Sequence, residues 1–283
     1  MTTKIEWTNE TWNPVTGCSK VSAGCKHCYA ERMSHRLKGR FGYPADDPFK
    51  VTLHPDRLNQ PLKWKKPRQI FVCSMGDLFH EDVPFEYITR VFDTMVSWRR
   101  PSWKAREAED WENLIDPGHT FQVLTKRPER IAPWIEWVQR NQSDYDESGI
   151  RPKMTTAEGW PAHIWLGTSV ENQATADERI PHLLKCPAAV RFLSCEPLLG
   201  PVDLVQSVVK RRIGDPQPDW VICGAETGPG ARPMNPDWAR SIRDQCKAAG
   251  TPYFFKRMGS AWKGETPDDL MVREMPTEIG ATK

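Results

Sequence analysis

The sequence predicts an α/β fold, in the form of a partial (β/α)6-type barrel with mainly parallel strands and outer helices. Short apolar runs typical of buried strands alternate with segments of helical periodicity, the pattern of parallel strands covered by helices. Polar side chains follow the end of nearly every apolar run, as they do where strands open onto a functional site. The chain of 283 residues is long enough to bury a sizeable core.

The predicted elements follow one another in a regular order. Apolar runs predict strands over residues 5–12, 48–53, 69–73, 121–124, 164–167, 190–193, 220–223 and 253–255. Helical spacing of apolar residues predicts helices over residues 29–39, 84–98 and 236–250. Gly39 and Gly250 suit the position that ends a helix. Pro84 and Pro236 suit the first turn, and Asn235 suits an N-cap.

The domain organisation is predicted from changes in composition. Residues 1–262 form the partial barrel, with insertions near 99–118 and 139–162 that are rich in charged residues, Pro, Ser and Gly. Residues 263–283 form a polar tail. The first seven residues have no apolar core and no stretch approaches the ~20 apolar residues of a membrane helix, so the sequence predicts a cytoplasmic protein without a membrane partner.

Three closely spaced cysteines are the strongest chemical signal. Cys18, Cys25 and Cys28 fall within eleven residues, separated by gaps of six and two residues. Cysteine at this density in a reducing compartment is usually catalytic or metal-binding. A structural zinc site has four protein ligands, and the nearest further candidates are His27 and His35. An iron–sulfur cluster also normally has four thiolates, so three would leave one iron open to another ligand.

The other cysteines are interpreted differently. Cys73, Cys195 and Cys223 lie in apolar, strand-like runs, and Cys246 lies on a predicted helix. Small buried hydrophobic residues are the interpretation favoured for these four. Cys186, beside a proline, is uninformative.

The polar residues at the strand ends are the second signal. Because the carboxyl ends of parallel strands meet at one edge of a sheet, we expect these residues and the cysteine loop to share one site. The alternative interpretation is that they merely make the loops soluble. The polar residues and glycines concerned are Ser74, Asp77, Thr125, Lys126, Arg127, Thr168, Ser169, Glu171, Asn172, Ser194, Glu196, Gly224, Glu226, Thr227, Lys256 and Arg257.

The charge is unevenly distributed along the chain. Overall, 39 Lys and Arg balance 37 Asp and Glu, whereas residues 1–70 hold 13 basic and 6 acidic side chains, a local charge of +7. The basic residues include a run with an aromatic ring inside it, Lys63 to Arg68 with Trp64. Such a region is typical of nucleic-acid or other polyanion binding, although a solvated helix face and loop have the same composition.

Several motifs resemble those of known proteins. Three close cysteines followed by an aromatic residue and a helix resemble the radical S-adenosylmethionine (SAM) enzymes, whose usual first gap has three residues rather than six. The chain more closely resembles an uncharacterised phage-associated three-cysteine family placed near those enzymes. The motifs that carry this resemblance are WNPVTGC at 12–18, SMGDLFH at 74–80, LTKRP at 124–128, GTSVEN at 167–172, SCEPLLG at 194–200 and GAETG at 224–228.

The resemblance implies a cofactor set and roles for the site residues. Cys18, Cys25 and Cys28 would bind a [4Fe-4S] cluster, which reductively cleaves SAM to methionine and a radical that takes hydrogen from a substrate. The resemblance and the chemistry of the side chains assign the SAM amino group to Asp77 with Ser74, the carboxylate or an anionic substrate to Lys126 and Arg127, the ribose to Glu171 and Asn172, and the adenine to the segment around Gly224. Glu196, Glu226 and Lys126 are candidate catalytic residues.

The expected partners follow from the same resemblance. The substrate is unknown, with nucleic acid or a nucleotide favoured by the basic N-terminal region, and an electron-donor protein and a neighbouring partner protein are expected.

Two other classes of protein stay open. One is a non-catalytic iron–sulfur or zinc protein that binds nucleic acid, and the other is a metal-dependent hydrolase using His80 and Glu81.

Overall fold

A computed structural model of the chain describes residues 3, 5–97, 118–141, 159–207 and 216–276. The insertions predicted near 99–118 and 139–162 lie largely outside these ranges. In chain order the elements are β1 (Glu10–Trp12), β2 (Val15–Thr16), α1 (Tyr29–Leu37), β3 (Thr52–Leu53), β4 (Gln69–Val72), α2 (Phe85–Ser97), β5 (Thr120–Thr125), α3 (Ile131–Arg140), β6 (Ile164–Ser169), α4 (Gln173–Leu184), β7 (Arg191–Cys195), α5 (Leu204–Ser207), β8 (Trp220–Cys223), α6 (Pro236–Ala249) and β9 (Tyr253–Phe255).

Seven parallel strands form one curled sheet, so the predicted α/β fold is confirmed as a half-barrel. The order β1-β4-β5-β6-β7-β8-β9 follows the chain, and every neighbouring pair is parallel. Helices follow most of these strands and pack outside the sheet, as the alternation of apolar runs predicted. The carboxyl ends of the strands therefore lie along one edge.

The first strand is shorter than predicted, because Trp7 packs into a hydrophobic cluster and does not extend the strand. The strand begins at Glu10 rather than residue 5, and Trp7 lies in a turn before it. The Trp7 ring packs into an inner cluster, with its centroid 4.9 Å from that of Phe71 and 6.2 Å from that of Trp220. The stabilisation from burying this ring against the sheet is larger than the stabilisation from extending the strand.

The predicted strand over residues 48–53 is reduced to β3, which belongs to a second, small sheet. It pairs antiparallel with β2, a strand that was not predicted.

The three predicted helices are confirmed as α1, α2 and α6, with ends that differ by one or two residues. Helices α3 and α4 were not predicted. Pro181 lies inside α4 and interrupts the usual helix pattern, whereas Pro133 lies in the first turn of α3, where a proline is tolerated.

Part of the predicted polar tail packs on the domain. Residues 268–270 form a short 3-10 helix in which Leu270 is fully buried, and Arg273 bridges to Phe254 of β9. Across the described ranges, no helix combines the length and apolar character that crossing a membrane requires.

Two glycines bring the cysteine loop to the carboxyl edge of the sheet. Gly17 and Gly76 form a parallel bridge, and a Cβ on Gly76 would lie 2.8 Å from the carbonyl oxygen of Gly17. Gly17 also has a φ of +83°, and a Cβ there would overlap the carbonyl oxygen of Lys50. The loop that begins at Cys18 is therefore fixed directly beside the end of β4.

Replacing Gly17 by Ala tests this packing. Gly39 has a similar φ of +70° but only the Cβ of Ala45, at 3.8 Å, nearby, so Gly39→Ala should cost only the ~1–2 kcal/mol of a left-handed residue. Gly17→Ala should lower the free energy of unfolding in urea by clearly more, because its Cβ also overlaps backbone. Equal decreases in the two variants would contradict the close packing at Gly17.

Candidate functional site

A cavity of about 280 Å³ opens at the carboxyl edge of the sheet, where the sequence predicted the site. The three predicted cysteine ligands line it together with five of the residues to which the sequence analysis assigned a cofactor-binding or catalytic role. The lining therefore includes Cys18, Cys25, Cys28, Ser74, Asp77, Lys126, Glu196 and Glu226. Arg127, Glu171, Asn172 and Gly224, also predicted for the site, are not part of the lining and lie behind or beside it.

The cysteine loop presents its thiols from an irregular segment and a helix start. Cys25 is buried at the end of a one-turn 3-10 helix, Cys28 is the N-cap residue of α1, and Cys18 is half-buried. All three are free thiols. In the part of the chain that the structure describes, no three His, Cys, Asp or Glu side chains stand close enough to hold a single metal ion as they are.

Cys73 also lines the cavity, which the sequence did not predict. It follows β4 directly and has a φ of +59°, unusual for a residue with a side chain. Its side chain is almost completely buried, in agreement with the interpretation of Cys73 as a buried thiol.

Arg127 fastens the cysteine loop to the sheet. Its guanidinium donates to the Oγ of Ser19 at 2.7 Å and to the Sγ of Cys18 at 3.4 Å. It also donates to Asp77 at 3.3 Å and to Glu81 at 2.8 Å. Burial raises the pKa of the Cys18 thiol to about 12, with Asp77 acting in the same direction and Arg127 against both. Arg127 is 3% exposed, so its contacts make it a positioning residue.

Asp77 holds the turn that carries Lys126 and Arg127. Its Oδ1 accepts from the Oγ1 of Thr125 at 2.7 Å and from the backbone N–H of Phe79 at 3.0 Å. Its Oδ2 accepts from the backbone N–H of Lys126 at 3.0 Å and from Arg127. These four bonds use the acceptor positions that a carboxylate offers. Asp77 therefore orients two cations at the end of β5, while its side chain forms part of the cavity wall.

Glu171 is the centre of a buried charge network under the loop. Its carboxylate is fully buried and bonds to Lys126, to Arg179 at 3.0 Å and to the Oγ of Ser22 at 2.9 Å. Burial acts to raise the pKa of Glu171, but Lys126 and Arg179 outweigh it, so that pKa lies below its ordinary value. A Cβ on Gly24 would overlap this carboxylate, so the glycine lets the loop come close.

Two further acid–base pairs stand on the other side of the cavity. Lys256 binds both carboxylate oxygens of Glu196, at 2.6 and 2.9 Å. Arg232 binds Glu226 through its backbone N–H and two guanidinium nitrogens, and also donates to the carbonyl of Ala23 in the cysteine loop. Burial opposes the charged form of Glu226, but Arg232 prevails and lowers its pKa.

The remaining predicted residues have structural contacts. Asn172 caps α4, where its side chain accepts from the backbone N–H of Thr175 at 3.1 Å. Gly224 directly follows β8 beside Glu196, and its backbone N–H donates to the carbonyl of Cys195. His80 accepts from the backbone N–H of Asp82 through Nδ1, which leaves Nε2 to bond the Oγ of Ser19.

Sequence reasoning missed two arginines that hold the site together. Arg179 is 2% exposed and lies on the buried face of α4 among apolar residues. A charged residue at a buried helix position is a signal that could have identified it. Arg232 follows Glu226 by six residues in an irregular segment, and no pattern in the sequence points to its contact with Ala23.

The basic residues of the N-terminal region fall on two different sides. Arg36 and Arg40 are exposed near α1, whose residue Leu37 packs with Tyr43 against Met75, just beyond the carboxyl end of β4. The run over 63–68 precedes β4 and so lies at the opposite, amino edge. There the Trp64 ring is half-buried, with Arg68 stacked over it at 5.1 Å.

Fold and site together define an α/β half-barrel protein with a cysteine-lined cavity at the carboxyl edge of its sheet. The chain belongs to the family described as "Protein of unknown function (DUF5131)", which matches residues 2–106 and 111–281. No curated protein matches the chain, and no solved structure does.

The buried network predicts a pH-dependent loss of stability in Glu171→Gln. At pH 7 this change leaves the Lys126 and Arg179 charges uncompensated and should cost ~3–5 kcal/mol of unfolding free energy. Because the folded-state pKa of Glu171 is lowered, the carboxylate stabilises the fold above the ordinary pKa of 4.5 and loses this effect as the pH falls below it. The difference from wild type should therefore shrink below about pH 4.5.

Glu136→Gln is the matched control. Glu136 pairs with Arg140 on the surface of α3 and its side chain is 67% exposed, so the change should stay within ~0.5 kcal/mol. Urea unfolding of both variants from about pH 3.5 to about pH 7 measures the effect, because this range spans the ordinary Glu pKa of 4.5. A Glu171→Gln penalty that is the same at both ends of this range would contradict the network.

Proposed function

We propose that the protein is a radical SAM-type enzyme that binds a [4Fe-4S] cluster through Cys18, Cys25 and Cys28. The observation that carries the proposal is that these three thiols line one cavity with strand-end polar side chains from five different strands. The proposal is also supported by the sequence motifs, which resemble those of radical SAM enzymes and of a phage-associated family. When bound, the reduced cluster would supply the electron that cleaves SAM.

The donor set fits such a cluster. Three free thiols on one loop are soft ligands suited to iron, and one iron would remain for a ligand entering the cavity. The cavity extends from these thiols to the Lys126 ammonium, which can bind a carboxylate, and to the Ser74 hydroxyl, whose hydrogen is bonded to Asn13 Oδ1 and whose oxygen can accept from an ammonium. At about 280 Å³, the cavity has a volume near the lower end of the range of small-ligand sites, ~300–1,000 Å³.

The surrounding residues would position the reacting groups. Ser74 and Lys126 would contact the cofactor, while Asp77 and Glu171 hold Lys126 in place from behind. Glu196 is oriented by two bonds to the Lys256 ammonium, and among the described residues these bonds leave two of its lone-pair positions for hydrogen bonds from a substrate. Carboxylates fixed in this way need no reorganisation when a ligand binds.

The substrate class that fits the cavity mouth best is nucleic acid or a nucleotide. Tyr29 lines the cavity and is 58% exposed, so its ring is available for stacking on a base. The exposed Arg36 lies two turns further along the same helix and can contact phosphate. An electron-donor protein and a neighbouring partner protein complete the proposal. The alternative is a non-catalytic iron–sulfur or zinc protein that binds nucleic acid at the same surface.

Cysteine replacement tests the cluster. Cys18→Ala, Cys25→Ala and Cys28→Ala should each lose most of the iron and sulfide after anaerobic reconstitution, because every thiol would hold one iron. Cys73→Ala and Cys223→Ala should retain both, because these thiols are buried outside the loop. Metal and sulfide analysis of all five variants makes the measurement. Zinc without sulfide in the wild type would favour the alternative, and full iron retention in any loop variant would contradict the ligand set.

Charge removal on one side of the molecule tests the nucleic-acid surface. Affinity for a single-stranded oligonucleotide should fall steeply with salt, and Arg36→Gln/Arg40→Gln should reduce the slope of log K against log salt by ~0.7 for each phosphate that the protein no longer neutralises. Lys63→Gln/Lys65→Gln removes the same charge at the amino edge and should leave the slope nearly unchanged. Equal weakening by both pairs, or no binding by wild type at low salt, would exclude this surface.

A further inference from the structure

One nitrogen of Arg127 joins a cysteine of the site to a buried carboxylate. The Nη1 atom lies 3.4 Å from the Sγ of Cys18 and 3.3 Å from the Oδ2 of Asp77. The sulfur therefore has a positive group in direct contact and a negative group immediately behind it. Arg127 is 3% exposed and Asp77 is 5% exposed, so solvent screens neither charge effectively.

Both charged groups are held in place by other bonds. Arg127 also binds Ser19 at 2.7 Å and Glu81 at 2.8 Å. Asp77 accepts from the hydroxyl of Thr125 at 2.7 Å, and from the backbone N–H groups of Phe79 and Lys126 at 3.0 Å each. Neither side chain can turn away from Cys18 without breaking several of these bonds. The two groups act on the sulfur as fixed charges of opposite sign.

We propose that Arg127 and Asp77 set the reduction potential of a cluster bound at Cys18, Arg127 raising it and Asp77 lowering it. This inference rests on the proposed function. Reduction adds one negative charge to the cluster, so a hydrogen bond and a positive charge at a ligand sulfur stabilise the reduced form. A fixed carboxylate nearby disfavours the reduced form. The two residues are positioning residues that act through Cys18 and do not contact a substrate.

The test is an EPR-monitored redox titration of the anaerobically reconstituted protein and its variants. Arg127→Gln removes the positive charge and should shift the midpoint potential to more negative values than wild type. Asp77→Asn removes the negative charge and should shift it to less negative values. Arg127→Lys keeps the charge without the planar fork that reaches Cys18 and Ser19, so its potential should lie between those of wild type and Arg127→Gln.

Glu81→Gln is the matched control for the carboxylate. Glu81 binds the same guanidinium at 2.8 Å, but its side chain is 60% exposed and water screens its charge. Its replacement should shift the potential by less than Asp77→Asn does. Opposite shifts from Arg127→Gln and Asp77→Asn separate an electrostatic role from a structural one, because loosening the shared ion pair would move both potentials in the same direction.

The outcomes separate this inference from the proposed function. If wild type takes up no iron and sulfide, the proposed function fails, and the inference with it. If wild type holds a cluster and Asp77→Asn leaves the potential unchanged or makes it more negative, the inference is wrong while the proposed function stands. If Arg127→Gln loses its iron, the other variants still test the inference. The midpoint potential of Asp77→Asn should then lie above that of wild type, and the potential of Arg127→Lys should lie below it.

Discussion

In the described ranges, four carboxylates follow the ends of strands β4, β6, β7 and β8, and each is bonded to at least one cation. Asp77 binds Arg127, Glu171 binds Lys126 and Arg179, Glu196 binds Lys256, and Glu226 binds Arg232. Charges taken out of water are costly unless they are paired and hydrogen-bonded, so each pair fixes the relative position of two segments. The carboxyl edge of the sheet is organised by this requirement.

The cysteine loop depends on these pairs because it has almost no regular structure of its own. Arg127 binds its first residues at Cys18 and Ser19, Glu171 binds its middle at Ser22, and Arg232 binds the carbonyl of Ala23. Charged groups of two strand ends and of the segment after β8 therefore define where the thiols lie. A loop held in this way can present three soft ligands to one cavity and still leave its sulfur atoms unbridged by disulfides.

The general location of the site could be predicted from the sequence, because parallel strands place their carboxyl ends at one edge whatever the details of packing. The direction of each side chain could not. Arg127 and Lys126 are adjacent in sequence, yet Lys126 lines the cavity while Arg127 turns behind it to Cys18. That choice depends on Asp77, which is forty-nine residues away from Lys126 and accepts from its backbone.

In the fold, too, buried strands could be predicted from the sequence, whereas features decided by tertiary contacts could not. Strand runs were predictable because their apolar character reflects burial on both faces, as in β6 and β8. The turn at Trp7 was not, because the apolar residues Ile5, Trp7 and Trp12 also suggest a strand, and only the packing of Trp7 beside Phe71 and Trp220 decides against it. Likewise, α4 forms despite Pro181 in its interior, which the local helix pattern does not allow.

The most direct test of the central claim is the formation of 5′-deoxyadenosine from SAM. The wild-type protein would be reconstituted anaerobically with iron and sulfide, reduced, and incubated with SAM, beside Cys28→Ala treated in the same way. We expect 5′-deoxyadenosine from wild type and none from the variant. Wild-type protein that carries the cluster but yields no 5′-deoxyadenosine, and whose EPR signal does not change when SAM is added, would contradict it.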